Sequence, residues 1–137
     1  AHDYRYFSEP DLPPLNLSKA WVYSISKSLP ELPTKRKERF MREYELSRYD
    51  AELLTLTKDM ADFFEETLSI SQDGSCEPTV RAKNVSNWML GEVARLLNSR
   101  SIGLGDSKLR PENMAELMAL IESSSLSSTL GKVVLEE

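Results

Sequence analysis

The chain has 137 residues, 40% of them hydrophobic and 28% charged, with 17 basic against 22 acidic side chains and a net charge of −5. That length suits one modest core and excludes a large enzyme. One cysteine, Cys76, and one histidine, His2, exclude an internal disulfide and a Cys/His structural zinc site, while the acidic balance argues against a surface that clamps nucleic acid everywhere.

In chain order, the sequence enters directly at Ala1 into an aromatic run with no signal stretch, which reads as a piece of a longer protein. Pro10, Pro13 and Pro14 favour extended backbone, so residues 1–17 are expected to form a short strand leading into a connector. In that strand Asp3, Arg5 and Phe7 would face one way and Tyr4 and Tyr6 the other, as in a strand taken from a larger sheet. Helical periods then begin. Ser18 can cap a helix to about Ser28 with Trp21, Val22, Ile25 and Leu29 as a buried stripe. A second helix starts near Thr34 with Phe40, Met41 and Tyr44 on one side and a basic remainder. Ser47 and Asp50 form a capping pair for a short helix through Leu54, and Thr57 caps the next, whose stripe is Met60, Phe63, Phe64 and Leu68.

Asp73-Gly74 marks a turn inside a polar loop at 71–76, and Pro78 suits the first turn of the helix that follows. This helix has the clearest period in the chain, through Val85, Trp88, Met89, Val93, Leu96 and Leu97 with Glu92 as its polar interruption, and is the expected core element. Gly103 and Gly105 break the pattern at a candidate boundary. Pro111 opens a helix with Met114, Leu117, Met118 and Ile121, and Ser127 caps a last one carrying Leu130, Val133 and Val134. The fold class expected is all-α, a helical bundle. No stretch approaches the ~20 apolar residues of a membrane helix, and a lone cysteine suits a reducing compartment.

Catalytic templates are missing: the sequence has no glycine-rich phosphate loop, no nucleophile elbow and no Cys/His dyad. His2 lacks an oriented partner, Cys76 lacks a nearby cation, and Glu65 and Glu66 read as solvent-facing charges. Charge by segment is more informative. Residues 35–48 carry six basic side chains against three acidic, residues 50–77 one against eight, and residues 78–110 six against two. Two basic helices therefore flank an acidic one. They either pack with compensating charges or expose cations to a phosphate backbone, which a handful of contacts would bind in a salt-dependent, sequence-blind way. Phe63, Phe64 and Trp88 lie in apolar stripes and read as core rather than as stacking platforms for bases.

The run Ala1-His2-Asp3-Tyr4-Arg5-Tyr6-Phe7-Ser8-Glu9-Pro10-Asp11-Leu12-Pro13-Pro14-Leu15 resembles the signature of the GatB family, the B subunits of aspartyl/glutamyl-tRNA amidotransferases, departing from it at Ser8, where proline is usual. Leu29-Pro30-Glu31-Leu32-Pro33, Tyr49-Asp50-Ala51 with Leu54-Thr55, and Asn87-Trp88-Met89 with Glu92 and Leu96-Leu97-Asn98 continue the likeness over essentially the whole chain. The resemblance implies a carbon-nitrogen ligase that uses ATP and Mg2+ to phosphorylate the side-chain carboxylate of Glu-tRNA(Gln) or Asp-tRNA(Asn). That phosphorylation turns an oxygen of a poor electrophile into a leaving group, and ammonia released from glutamine by the A subunit then displaces the phosphate.

For this chain the same resemblance implies residues 1–17 as the closing strand and connector of a catalytic cradle, 18–105 as the helical domain, and 106–137 as the start of a YqeY-like tail domain. No catalytic residue, metal ligand or cofactor is expected within it. The expected partners are the A and C subunits of the amidotransferase and tRNA(Gln) or tRNA(Asn), with neither DNA nor a membrane, in the bacterial cytoplasm or an organellar matrix or stroma. Candidate phosphate contacts are Lys35, Arg36, Lys37, Arg39, Arg42, Arg81 and Lys83. The competing expectation is a structural connector that touches protein and no RNA.

Overall fold

A computed structural model of the chain describes residues 18–70 and 76–136. The expected strand and connector at 1–17, the Asp73-Gly74 turn and His2 lie outside the described residues. By contact the chain divides into two units, Ala1–Pro30 and Glu31–Glu137. All regular structure among the described residues is helical.

In the first unit, α1 (Lys19–Ser28) begins where Ser18 accepts a hydrogen bond from the Trp21 amide at 3.2 Å. The expected buried stripe is not buried: Trp21, Val22, Ile25 and Leu29 are exposed. A 3.6 period reports that one face is apolar, not that a second layer covers it, and none of the described residues of this unit does so.

The second unit holds α2 (Pro33–Glu43), α3 (Arg48–Leu54), α4 (Lys58–Ile70), α5 (Pro78–Trp88), a π-helical turn (Met89–Val93), α6 (Ala94–Arg100), a 3-10 turn (Leu104–Asp106), α7 (Pro111–Glu122) and α8 (Ser128–Glu136). Helix starts are set locally. Ser47 takes the Asp50 amide at 3.1 Å and donates to the Asp50 carboxylate at 2.8 Å, Thr57 takes the Met60 amide, and Ser127 takes the Leu130 amide. Pro33, Pro78 and Pro111 sit in first turns, where no amide donor is required. Two helices end on serines in the left-handed region, Ser101 (φ 52°) and Ser124 (φ 58°). There the Ile102 amide reaches back to Leu97 and the Ser125 amide to Leu120, closing each last turn.

The core lies among α2, α3, α4, α5 with its π turn, and α7. Phe40, Leu54, Phe64, Val85, Met89, Met114 and Met118 are fully or almost fully buried. Phe40, Tyr44 and Phe64 pack as an aromatic cluster with ring centroids 5.2 to 5.5 Å apart. Leu104 carries the core across the Gly103–Gly105 stretch. Residues 78–100 run as one continuous helix, and the π turn gives it a consistent face. Four α-helical residues overshoot one turn by about 40°, so a row at every fourth position would wind off the core; the wider turn takes back part of that drift. Val85, Met89 and Val93 accordingly all stay buried.

Like α1, α8 leaves its apolar period largely uncovered. Leu130, Val133 and Val134 are more than half exposed, and the helix docks instead through Gly131 and Leu135. Gly131 sits at a close approach, since a Cβ there would lie 3.0 Å from both Ile121 Cδ1 and Trp88 Cη2, and these side chains would have to give by a few tenths of an ångström.

Candidate nucleic-acid interface

The seven sequence-predicted cations fall into two groups. Arg36 and Arg39 stand one turn apart on α2 and face Asp62 and Glu65, one turn apart on α4. Arg36 donates from Nε to Glu65 at 2.8 Å, pairs again with Glu65 through Nη2, and reaches Asp62 at 2.6 Å. Arg39 spans Glu65 at 2.6 Å and Glu31 at 2.7 Å, with Glu43 at 3.6 Å. Both guanidiniums lie over the Phe40 ring, 5.8 and 5.4 Å from its centroid. Glu65 is therefore no solvent-facing charge, as its sequence position suggested, but the shared acceptor of two arginines.

Electrostatics follow from these contacts. The hydrogen bonds to Glu31 and then Glu65 hold the Arg39 proton more firmly than usual. For Arg36 burial acts against the charge, and the bonds to Asp62 and Glu65 more than offset it. The Arg39 hydrogen bond holds the Glu31 carboxyl below the usual carboxylate range. A depressed carboxylate pKa contributes stability that is present above the unfolded value of about 4.3 and is lost as pH falls through the folded value. Acid titration followed by α-helical circular dichroism should therefore show a loss of stability below about pH 4.3 that is smaller in Arg39→Gln. An identical acid limb in the two proteins would remove Glu31 as its source.

Lys37 meets Glu52 of α3 at 3.3 Å. Arg81 is buried on α5 and meets Glu122 of α7 at 3.2 Å, with side chains 9% and 13% exposed. Arg42 is three-quarters exposed, and its one carboxylate partner among the described residues is its neighbour Glu43, at 3.3 Å. Lys35 and Lys83 are exposed and have no carboxylate partner among the described residues. Lys35 and Arg42 are seven residues apart on one outward side of α2, with Glu38 between them.

A further charged cluster ties α8 to the long helix: Glu92 of the π turn takes Lys132 at 2.6 Å and Arg95 at 3.1 Å, Arg95 reaches Glu136 at 2.7 Å, and Arg100 donates to the Glu136 carbonyl at 2.6 Å. The bonds from Lys132 and then Arg95 hold the Glu92 carboxyl below its usual range. Sequence reasoning missed these carboxylate partners, which lie as far as 41 positions from their cations. One signal was present for the largest cluster: an i,i+3 basic pair on α2 and an i,i+3 acidic pair on α4 fit two helices laid side by side.

Among the described residues no three His, Cys, Asp or Glu side chains converge as a metal site requires, and no helix is long and apolar enough to cross a membrane. An open apolar groove of about 710 Å³ runs between α6, α7 and α8, lined by Leu97, Ile102, Leu117, Leu120, Leu126 and Val134.

Residues 62–137 match the profile of the GatB domain, in a family that joins GatB and YqeY. The B subunit of the aspartyl/glutamyl-tRNA(Asn/Gln) amidotransferase of Clostridium botulinum (strain Langeland) is 46% identical over 137 residues, all of this chain and 27% of the relative. The protein of the same name from Enterococcus faecalis is 45% identical over 135 residues, 98% of this chain and again 27% of the relative. The chain thus spans about a quarter of the length of these curated relatives.

Proposed function

Because the chain belongs to the GatB domain family, we propose that it is the helical portion of a B subunit of a tRNA-dependent amidotransferase, and that it contacts tRNA by phosphate while joining the catalytic part to the tail. The observation that carries this reading is the division of the cations. Arg36, Arg39 and Arg81 brace helices, Lys37 is half committed to α3, and Lys35, Arg42 and Lys83 keep their charge available to a polyanion. In this proposal residues 1–17 close the catalytic cradle, 18–105 form the helical domain and 106–137 begin the YqeY-like tail. ATP, Mg2+ and the amidation of Glu-tRNA(Gln) or Asp-tRNA(Asn) belong to the rest of the polypeptide. The A and C subunits are its protein partners, and the bacterial cytoplasm is its compartment.

The second reading, a connector with no RNA contact, is favoured by how much of the basic charge is neutralised inside the fold. Lys35→Glu and Lys83→Glu in the complete enzyme separate the two. If phosphate contact is right, each change weakens binding of a tRNA(Gln) transcript and lowers the slope of log K against log salt by about one, with the enzyme still fully assembled. Unchanged affinity and slope would leave the connector reading standing.

A further inference from the structure

Lys83, Asn87, Gly91 and Arg95 form an outward row at every fourth position of the long helix, and all four are exposed. A glycine inside a helix is destabilising relative to alanine, so a fold keeps one where it needs the space or the backbone freedom. Gly91 lies inside the π turn, and nothing among the described residues needs the space it leaves. A Cβ there would meet nothing within 4 Å, and its backbone does not lie in the left-handed region. The contrast with Gly131, where a Cβ would press on Ile121 and Trp88 at 3.0 Å, is direct: one glycine makes room for a neighbour in the fold, the other makes room outward.

We infer that the Lys83–Asn87–Gly91 row is where a backbone from outside the chain comes into van der Waals contact with the long helix, and that this backbone is the sugar-phosphate chain of an RNA. The inference rests on the tRNA-contact reading and gives it a location. The chemistry of the row favours RNA over protein. A protein interface anchors on apolar or aromatic side chains at its centre, and this row exposes none. It offers instead a lysine with no carboxylate partner among the described residues and an amide able both to donate and to accept. The neighbouring carboxylate, Glu92, is already matched by Lys132 and Arg95, which lessens its repulsion of a phosphate. Without a Cβ at 91, a phosphodiester can lie against the helix backbone between Lys83 and Asn87 on one side and Arg95 on the other.

The test is Gly91→Ala in the complete amidotransferase, with Gly91→Leu as the larger probe, measured by tRNA(Gln) binding at several salt concentrations and by thermal unfolding. Alanine is expected to raise Tm, because it favours the helix and meets no obstacle. It should weaken tRNA binding about fivefold, and leucine more than tenfold, equally at every salt concentration because no charge is altered. Raised Tm with unchanged tRNA affinity would overturn the inference while leaving the phosphate contacts to be judged by the lysine variants. A lowered Tm with Gly91→Ala would also overturn it, because the glycine would then serve the π turn. So would dissociation of the enzyme in gel filtration with tRNA affinity retained, which would make the partner a protein.

Discussion

Replacing Arg81 with alanine is expected to destabilise the chain by about 3 to 5 kcal/mol, the loss typical when one member of a buried ion pair is removed. Arg81 is 8% exposed and its partner Glu122 sits under the same cover, with one carboxylate oxygen, Oε1, already lacking a hydrogen-bond donor. Taking away the guanidinium leaves that carboxylate buried with no countercharge. The pair itself contributes far less than its rupture costs, since the attraction mainly offsets desolvation. Arg81→Met combined with Glu122→Leu should therefore recover most of the stability lost in Arg81→Ala. Urea unfolding of the three proteins checks this. A single-variant loss under about 1 kcal/mol would mean that water reaches the site and the pair behaves as a surface bridge.

A loss of similar size is expected from Phe40→Ala, about 3 to 5 kcal/mol for a fully buried phenylalanine. Here the cause is a cavity and not a charge. Phe40 fills the space between Tyr44 and Phe64 and forms the floor under the Arg36 and Arg39 guanidiniums. Its removal should therefore also loosen the contacts of both arginines with Glu65. A double-mutant cycle between Phe40→Leu and Arg39→Gln should give a coupling of about 0.5 kcal/mol or more, as residues in contact do. Strict additivity would show that ring and network act separately.

Helix starts were the most legible part of this fold. Ser18, Ser47, Thr57, Pro78, Pro111 and Ser127 each act within one turn of themselves, so the determinants of those starts are contiguous in the chain. The stripes of α4 and of the long helix were equally readable, because both sides of the layer they enter lie in this unit. That of α1 was misread for the converse reason. An apolar period on Trp21–Leu29 or Leu130–Val134 specifies a face, and burial also requires something to cover it. The ends of α6 and α7 carried a weak signal, since serine adopts a left-handed position that glycine usually marks. Least legible was the site. Arg36 and Arg39 look like an RNA-binding stripe until α4 is laid against α2, when Asp62 and Glu65 claim them. That outcome depends on pairing across 26 to 29 positions, which no local window contains.

The sharing of Glu65 by two arginines bears on encounter rates as well as stability. Long-range attraction of a polyanion grows with the uncancelled field of the surface, and electrostatic steering is what lifts association toward the diffusion limit. A module that has cancelled most of its own positive charge exerts little such pull. Its contacts with tRNA, as proposed, would form after the nucleic acid has been captured and oriented elsewhere. Salt and cation substitutions in this module should then change chiefly the rate at which tRNA leaves, with little effect on the rate at which it arrives.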